Sequence, residues 1–103
     1  MKIIYANSKI EVFIKKVNKN LSARIVRTID ILERYGNNIE FPHSKSIGRG
    51  LFELRIEGNP QVRIIFMFHK DHAYLLHIFM KKEQKIRKSD VEVALRMKKI
   101  VLE

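Results

Sequence analysis

Apolar residues recur every three or four positions in the first third of the chain and every second position from residue 51 onward, and this change of period divides it into elements. Residues 2–6, Lys-Ile-Ile-Tyr-Ala, fit a short strand. Ser8 and Glu11 have the spacing of a capping box, in which two side chains satisfy free amides at a helix start. Ile10, Phe13, Ile14 and Val17 then follow at helical spacing. A second helix is predicted from near Ser22, with Leu21, Ile25, Ile29 and Leu32 in one stripe and Gly36 as its C-terminal cap. Two adjacent antiparallel helices follow.

Residues 37–50 read as a polar loop holding Pro42, His43, Lys45, Gly48, Arg49 and Gly50. Beyond it, Phe52, Leu54 and Ile56 alternate with Glu53 and Arg55, the pattern of a half-buried strand. Glu57-Gly58-Asn59-Pro60 makes a turn, and Val62, Ile64, Phe66 and Phe68 share one face of the next strand, opposite Arg63, Ile65, Met67 and His69. Lys70-Asp71-His72 turns again into a third strand over residues 73–80. The last two strands are apolar on both faces, which places them centrally with helices on either side. Ser89 and Glu92 repeat the capping-box spacing and open a final helix. The order is β-α-α-β-β-β-α: an α+β domain, antiparallel across residues 51–81 and single over residues 1–103.

Outside one charged stripe (Glu92, Arg96, Lys99, Glu103), the last helix is apolar: Val91, Val93, Ala94, Leu95, Met97, Ile100 and Val101. That face is wider than one side of a small sheet covers, so part of it is expected to meet a partner.

Charge adds the second constraint. Lys and Arg number 21 against 11 Asp and Glu, a net charge of +10, which favours a polyanionic partner. Residues 81–99 hold eight of the cations against Glu83, Asp90 and Glu92, or +5 in one short stretch. There is no cysteine, hence no disulfide or thiolate site, as expected of a cytoplasmic protein. No apolar run has the length of a membrane span or a signal peptide.

The chemistry available follows from these counts. Carboxylates are scattered, so neither a metal site nor any cofactor is expected. No nucleophile elbow supports Ser/His hydrolysis. His69 and His77 lie on strands and are candidate acid–base groups, although a strand histidine is more often a hydrogen-bonded half-core residue than a catalyst. Arg55 and Arg63 both face away from the main apolar surface, and Lys81 and Lys82 leave the sheet directly after the third strand. Each arginine alone is explained by pairing with Glu53 or Glu57. Gathered on one surface, these cations would clamp a phosphodiester, with Lys45, Arg49, Lys85, Arg87 and Lys88 extending the RNA-binding area. RNA brings its own nucleophile, the 2′-OH, so a protein need only hold the strand in line, stabilise phosphate charge and move protons.

Leu51-Phe52-Glu53-Leu54-Arg55, then Val62-Arg63-Ile64-Ile65-Phe66, then Leu76-His77-Ile78-Phe79-Met80-Lys81-Lys82, then Gln84-Lys85 and a helix with Ala94 and Arg96 form an ordered series. The series resembles the RelE/ParE toxin superfamily, most closely its HigB-like, phage-related branch, over about residues 40–100. The resemblance implies a RelE-like fold and a toxin of a type II toxin–antitoxin system. Its activity would be that of an mRNA endoribonuclease working without metal or cofactor, on the ribosome. The implied partners are mRNA and an antitoxin protein of helix-turn-helix type. By position, Arg63 falls where RelE-type enzymes stabilise phosphate, Lys82 where they carry an acid or charge-stabilising group, Lys81 beside it, and Arg55 in the first motif. The chain departs from the pattern in two places: no tyrosine follows Tyr74, and Val62 replaces the usual aromatic. The competing functions are a ParE-like gyrase inhibitor that cuts nothing and a plain RNA- or ribosome-binding domain.

Overall fold

The computed structural model describes all 103 residues. Its elements are β1 (Lys2–Tyr5), α1 (Ser8–Lys16), α2 (Lys19–Tyr35), β2 (Ser44–Gly48), β3 (Leu51–Ile56), β4 (Val62–His69), β5 (His72–Met80) and α3 (Lys88–Leu102). One five-stranded sheet has the order β1-β5-β4-β3-β2, antiparallel except where β1 pairs parallel to β5. The α+β class and the antiparallel β3-β4-β5 meander agree with the sequence reading.

The two faces of β4 explain the layers. Val62, Ile64 and Phe66 join Leu54, Ile56, Ala73, Leu75 and Ile78 under Ile10 of α1 and Leu21, Ile25, Ile29 and Leu32 of α2. Ile65 and Met67 point the other way and pack with Leu51, Leu76 and Phe79 against Ala94 of α3. A β-bulge inserts Leu76 between the pairs Phe66–Leu75 and Ile65–His77. Leu76 thereby joins the core beneath α3 while His77 bonds Asp90 of that helix.

The order itself needs one correction, because residues 44–48 form a strand where a loop was expected. β2 is an edge strand with Ile47 as its one large apolar residue, so it carries no visible alternation. It reaches β3 through a two-residue turn in which Arg49 (φ 58°) and Gly50 (φ 74°) are both left-handed, the geometry of a type I′ hairpin. Arg49 is an unusual residue for that conformation, which hides the hairpin in the sequence.

The helix starts also differ from expectation. Asn7 caps α1 by accepting from the Lys9 amide, and Asn18 caps α2 by accepting from the Leu21 amide, so α2 begins before Ser22. α3 starts at Lys88 without a side-chain cap, so neither Ser8 nor Ser89 opens a capping box. Gly36 does end α2, with φ 54°. On α3, Ala94 is fully buried, Met97 is half-buried, and Ile100 and Leu102 are 60 % and 50 % exposed.

Overpacking at Ala94 and a charge at Ile100 therefore separate the two sides of α3. Ala94→Leu is expected to cost about 1–3 kcal/mol of stability, while Ile100→Glu stays within about 0.5 kcal/mol of the parent. Urea midpoints of both variants check this; equal losses would place the outer face of α3 in the core.

Candidate functional site

Strand register builds one face of the site. Arg55 on β3 lies opposite Arg63 on β4, which lies opposite Phe79 on β5. The neighbouring row runs Lys45, Glu53, Ile65, His77 across β2, β3, β4 and β5. Lys45 thus meets Glu53 only because β2 is a strand.

Arg63 does not reach the surface. Its side chain is 1 % exposed. Its Nη1 donates to the carbonyls of Ile56 (3.3 Å) and Val62 (3.0 Å), and its Nη2 to Gln61 Oε1 (3.1 Å). Glu53 lies 3.7 Å away and Glu57 3.8 Å away, and the same two carboxylates flank Arg55 at 3.6 and 3.5 Å. Two guanidinium groups and two carboxylates cancel one another at the end of the β3–β4 hairpin. The expected exposed pair of arginines is corrected: Arg55, at 21 % exposure, retains access to solvent, whereas Arg63 is an internal cross-link.

Burial pushes the pKa of Arg63 down, Glu53 opposes that, Arg55 adds to it and Glu57 opposes it. A lowered folded-state value means that folding disfavours the charged form, a cost relieved only as pH rises into the arginine range. The paired carboxylates Glu53 and Glu57 are what offset that cost.

The accessible cations gather beside this network. Lys45 and Ile47 from β2, Glu53 and Arg55 from β3, Lys81, Gln84, Lys85 and Ile86 from the segment after β5, and Val91 from α3 line a cleft of about 320 Å³. Since Arg55 is matched by carboxylates, Lys45, Lys81 and Lys85 supply its excess positive charge. The Lys81 amide donates to the Gln61 carbonyl (2.9 Å), so its backbone extends the hairpin while its side chain borders the cleft.

Other expected site residues lie elsewhere. Lys82 and Arg87 border a second, shallow depression that shares Lys81 and Lys85 with the cleft. Lys88 is the exposed first residue of α3. Arg49 sits in the β2–β3 turn, where its carbonyl accepts from Lys98 Nζ and fastens the turn to α3. His69 closes the far end of β4, six residues from Arg63, or about 20 Å along the strand. His77 Nε2 lies 2.8 Å from Asp90 Oδ1, its ring stacks on Phe79, and it does not line the cleft. Its contacts tie the first turn of α3 to β5. The structure therefore brings together Lys45, Arg55, Lys81 and Lys85 and leaves both histidines outside.

Two buried carboxylates also shape the site. Glu53 faces a side of the sheet that Ile65 and Met67 mark as covered, so its burial was readable from the two apolar faces of β4. Asp90 stands in line with Ala94, Met97 and Val101, where an apolar residue belongs, and an acid in that stripe signals a partner on the sheet. Nowhere do three or more His, Asp or Glu side chains gather as a metal site would need. No helix is long and apolar enough to cross a membrane.

The family model described as phage derived protein Gp49-like (DUF891) matches residues 12–99, from α1 almost to the end of α3. The chain belongs to this Gp49-like family. The family is of the RelE-toxin-like type, which agrees with the sequence resemblance at that level. No curated protein matches the chain. In this Gp49-like protein the matched span contains every residue lining the cleft.

The buried network and the open cleft are separable by mutation. Arg63→Ala strands Glu53 without its buried partner and is expected to cost about 3–5 kcal/mol; Lys81→Ala, at the surface, stays within about 0.5 kcal/mol. Denaturant melts of the two variants are the check, and a stable Arg63→Ala protein would remove the cross-link from the fold's supports.

Proposed function

We propose that this Gp49-like protein is the toxin of a type II toxin–antitoxin system, of the HigB-like branch, and that it cuts mRNA in the cleft. The observation that carries the reading is the convergence of Lys45, Arg55, Lys81 and Lys85, from three separate segments, around a single carboxylate, Glu53. Such a cleft suits a phosphodiester. The lysines act as movable point charges on the phosphate oxygens, and Arg55 offers the remaining donors of its fork.

In this mechanism the 2′-OH attacks the adjacent phosphorus, the P–O5′ bond breaks, and the products are a 2′,3′-cyclic phosphate and a 5′-OH. Lys81 and Lys85 are the solvent-accessible groups in the cleft suited to move protons between the 2′-OH and the leaving oxygen, while Glu53, matched by Arg55 and Arg63, holds the cations in place. The charge that builds on phosphate in the transition state falls among the lysines. Chemistry of this kind requires no metal ion, and the ribosome would present the strand.

Lys81→Ala is expected to keep the fold and lose about 10²–10³ of the cleavage rate. Primer extension on cellular mRNA after induction reads the cuts, and end analysis should find cyclic phosphate whether or not EDTA is present. Magnesium-dependent 5′-phosphate products would reject the mechanism. Induction that triggers a DNA-damage response and leaves mRNA whole would favour gyrase inhibition instead.

The antitoxin is proposed to grip the flank of α3 on which Ile100 stands exposed, with Val93 and Arg96 at helical spacing on the same side. Apolar contacts there would set the lifetime of the complex and the basic flank its association rate. Ile100→Glu should remain toxic and escape neutralisation in co-expression; retained neutralisation with a folded toxin moves the interface elsewhere.

A further inference from the structure

Phe41 is the most exposed of the large apolar side chains, at 70 %. It is nevertheless held in a defined place. The amides of His43 and Ser44 donate to the Glu40 carbonyl (2.9 and 3.1 Å), and the Arg55 amide donates to the His43 carbonyl (2.9 Å), so its turn is fastened to β3. The guanidinium carbon of Arg55 lies 5.4 Å from the Phe41 ring centroid, over the ring. Phe41, Tyr35, Asn38 and His43 help line a shallow concavity of about 290 Å³. Arg55 also borders the cationic cleft, so its guanidinium stands between the cleft and the Phe41 ring that lines the concavity.

We infer that this concavity receives an unpaired nucleobase of the strand whose phosphate occupies the cleft, with Phe41 as the stacking platform. The inference rests on the RNA-cleaving reading and adds a base subsite to it. A nucleobase has a flat apolar face and a polar edge. Phe41 and Tyr35 offer the matching faces, while the Asn38 amide and the His43 ring offer hydrogen-bonding groups for the edge. The Arg55 guanidinium lies over one face of the Phe41 ring, and with the ring 70 % exposed the opposite face is free for a base to stack on. An apolar protein segment would gain little from a surface that runs directly into a cationic cleft, whereas a nucleotide uses both halves.

The chain contains no tryptophan, so Phe41→Trp creates a single fluorescent reporter at the proposed contact. A single-stranded 2′-O-methyl RNA oligonucleotide has no free 2′-OH and remains uncut; it should quench that reporter saturably. An abasic strand of equal length, carrying the same phosphates, should bind through the cleft without quenching. Phe41→Ala should weaken binding of the base-bearing strand about tenfold, leave the abasic strand unaffected, and recover with Phe41→Tyr. Equal quenching by both strands, or unchanged binding by Phe41→Ala, overturns the subsite. A Phe41→Ala protein that binds RNA normally but loses its antitoxin also overturns it and makes Phe41 a protein contact. Absence of salt-sensitive binding by either strand in anisotropy measurements tells against the RNA-cleaving reading itself. A denaturation midpoint matching the parent confirms that Phe41→Ala is folded, as the exposure of the ring leads one to expect.

Discussion

Burying a charged guanidinium in a protein of this size sets conditions on everything around it. Arg63 meets them by donating to the Ile56 and Val62 carbonyls and to Gln61 while Glu53 and Glu57 balance its charge. Those acceptors belong to both sides of the β3–β4 connection, so the side chain locks the end of the hairpin at which Lys81 continues the ladder. Well-packed apolar residues often replace buried ion pairs without loss of stability. What they would not reproduce here is the set of donors that fixes the turn, nor the placement of Glu53 at the edge of the cleft. The cross-link and the cleft share Glu53 and Arg55, so geometry in one determines electrostatics in the other.

The long-period and two-faced elements were legible in the sequence because burial dictates their pattern. β4 and β5 could sit only in the middle of the sheet, since both of their faces are apolar, and the stripe of α2 reappears residue for residue in the core. β2 was not legible. An edge strand with one large apolar residue has no alternation to display, and Arg49 takes a left-handed turn position that usually signals Gly, Asn or Asp. The caps were misjudged for a simpler reason: Asn7 and Asn18 stand just before Ser8 and four residues before Ser22, and asparagine caps as well as serine.

The site was legible in kind and illegible in arrangement. Composition and strand parity put Arg55 and Arg63 on one face, as register confirms, and the apolar residues of β4 mark that face as covered; parity does not show how far the cover extends, which leaves Arg55 at 21 % exposure and Arg63 at 1 %. Lys45 was named as a loop cation, and its place beside Glu53 depends on the unseen strand. His77 sits where the motif series puts it, yet the bulge at Leu76 and the acid at Asp90 turn it toward α3; the acid shows as a break in the apolar stripe of that helix, while the bulge leaves no pattern along the chain. Residue chemistry is local and can be read from letters, whereas solvent access and mutual distance are settled by pairings across the sheet.

The position of α3 links the cleft to any partner that restrains it. Its first turn contributes Val91 to the cleft wall, and its exposed apolar residues lie at the other end, about 14 Å from Val91 to Ile100 along the helix axis. The turn at Arg49 is also tied to Lys98 of that helix. A partner anchored on Ile100 would act by occupying space. Val91 and Ile100 stand on opposite sides of the helix, so an extended segment running back toward Lys81 and Lys85 must also pass around it, about 20 Å or six to seven residues; bulk that keeps a large substrate away is the other route. The sign of the charge along that path favours an acidic segment over a neutral one. Such a segment would be stabilised by the same lysines that would hold a phosphate, and competition between the two anions would be the means of control.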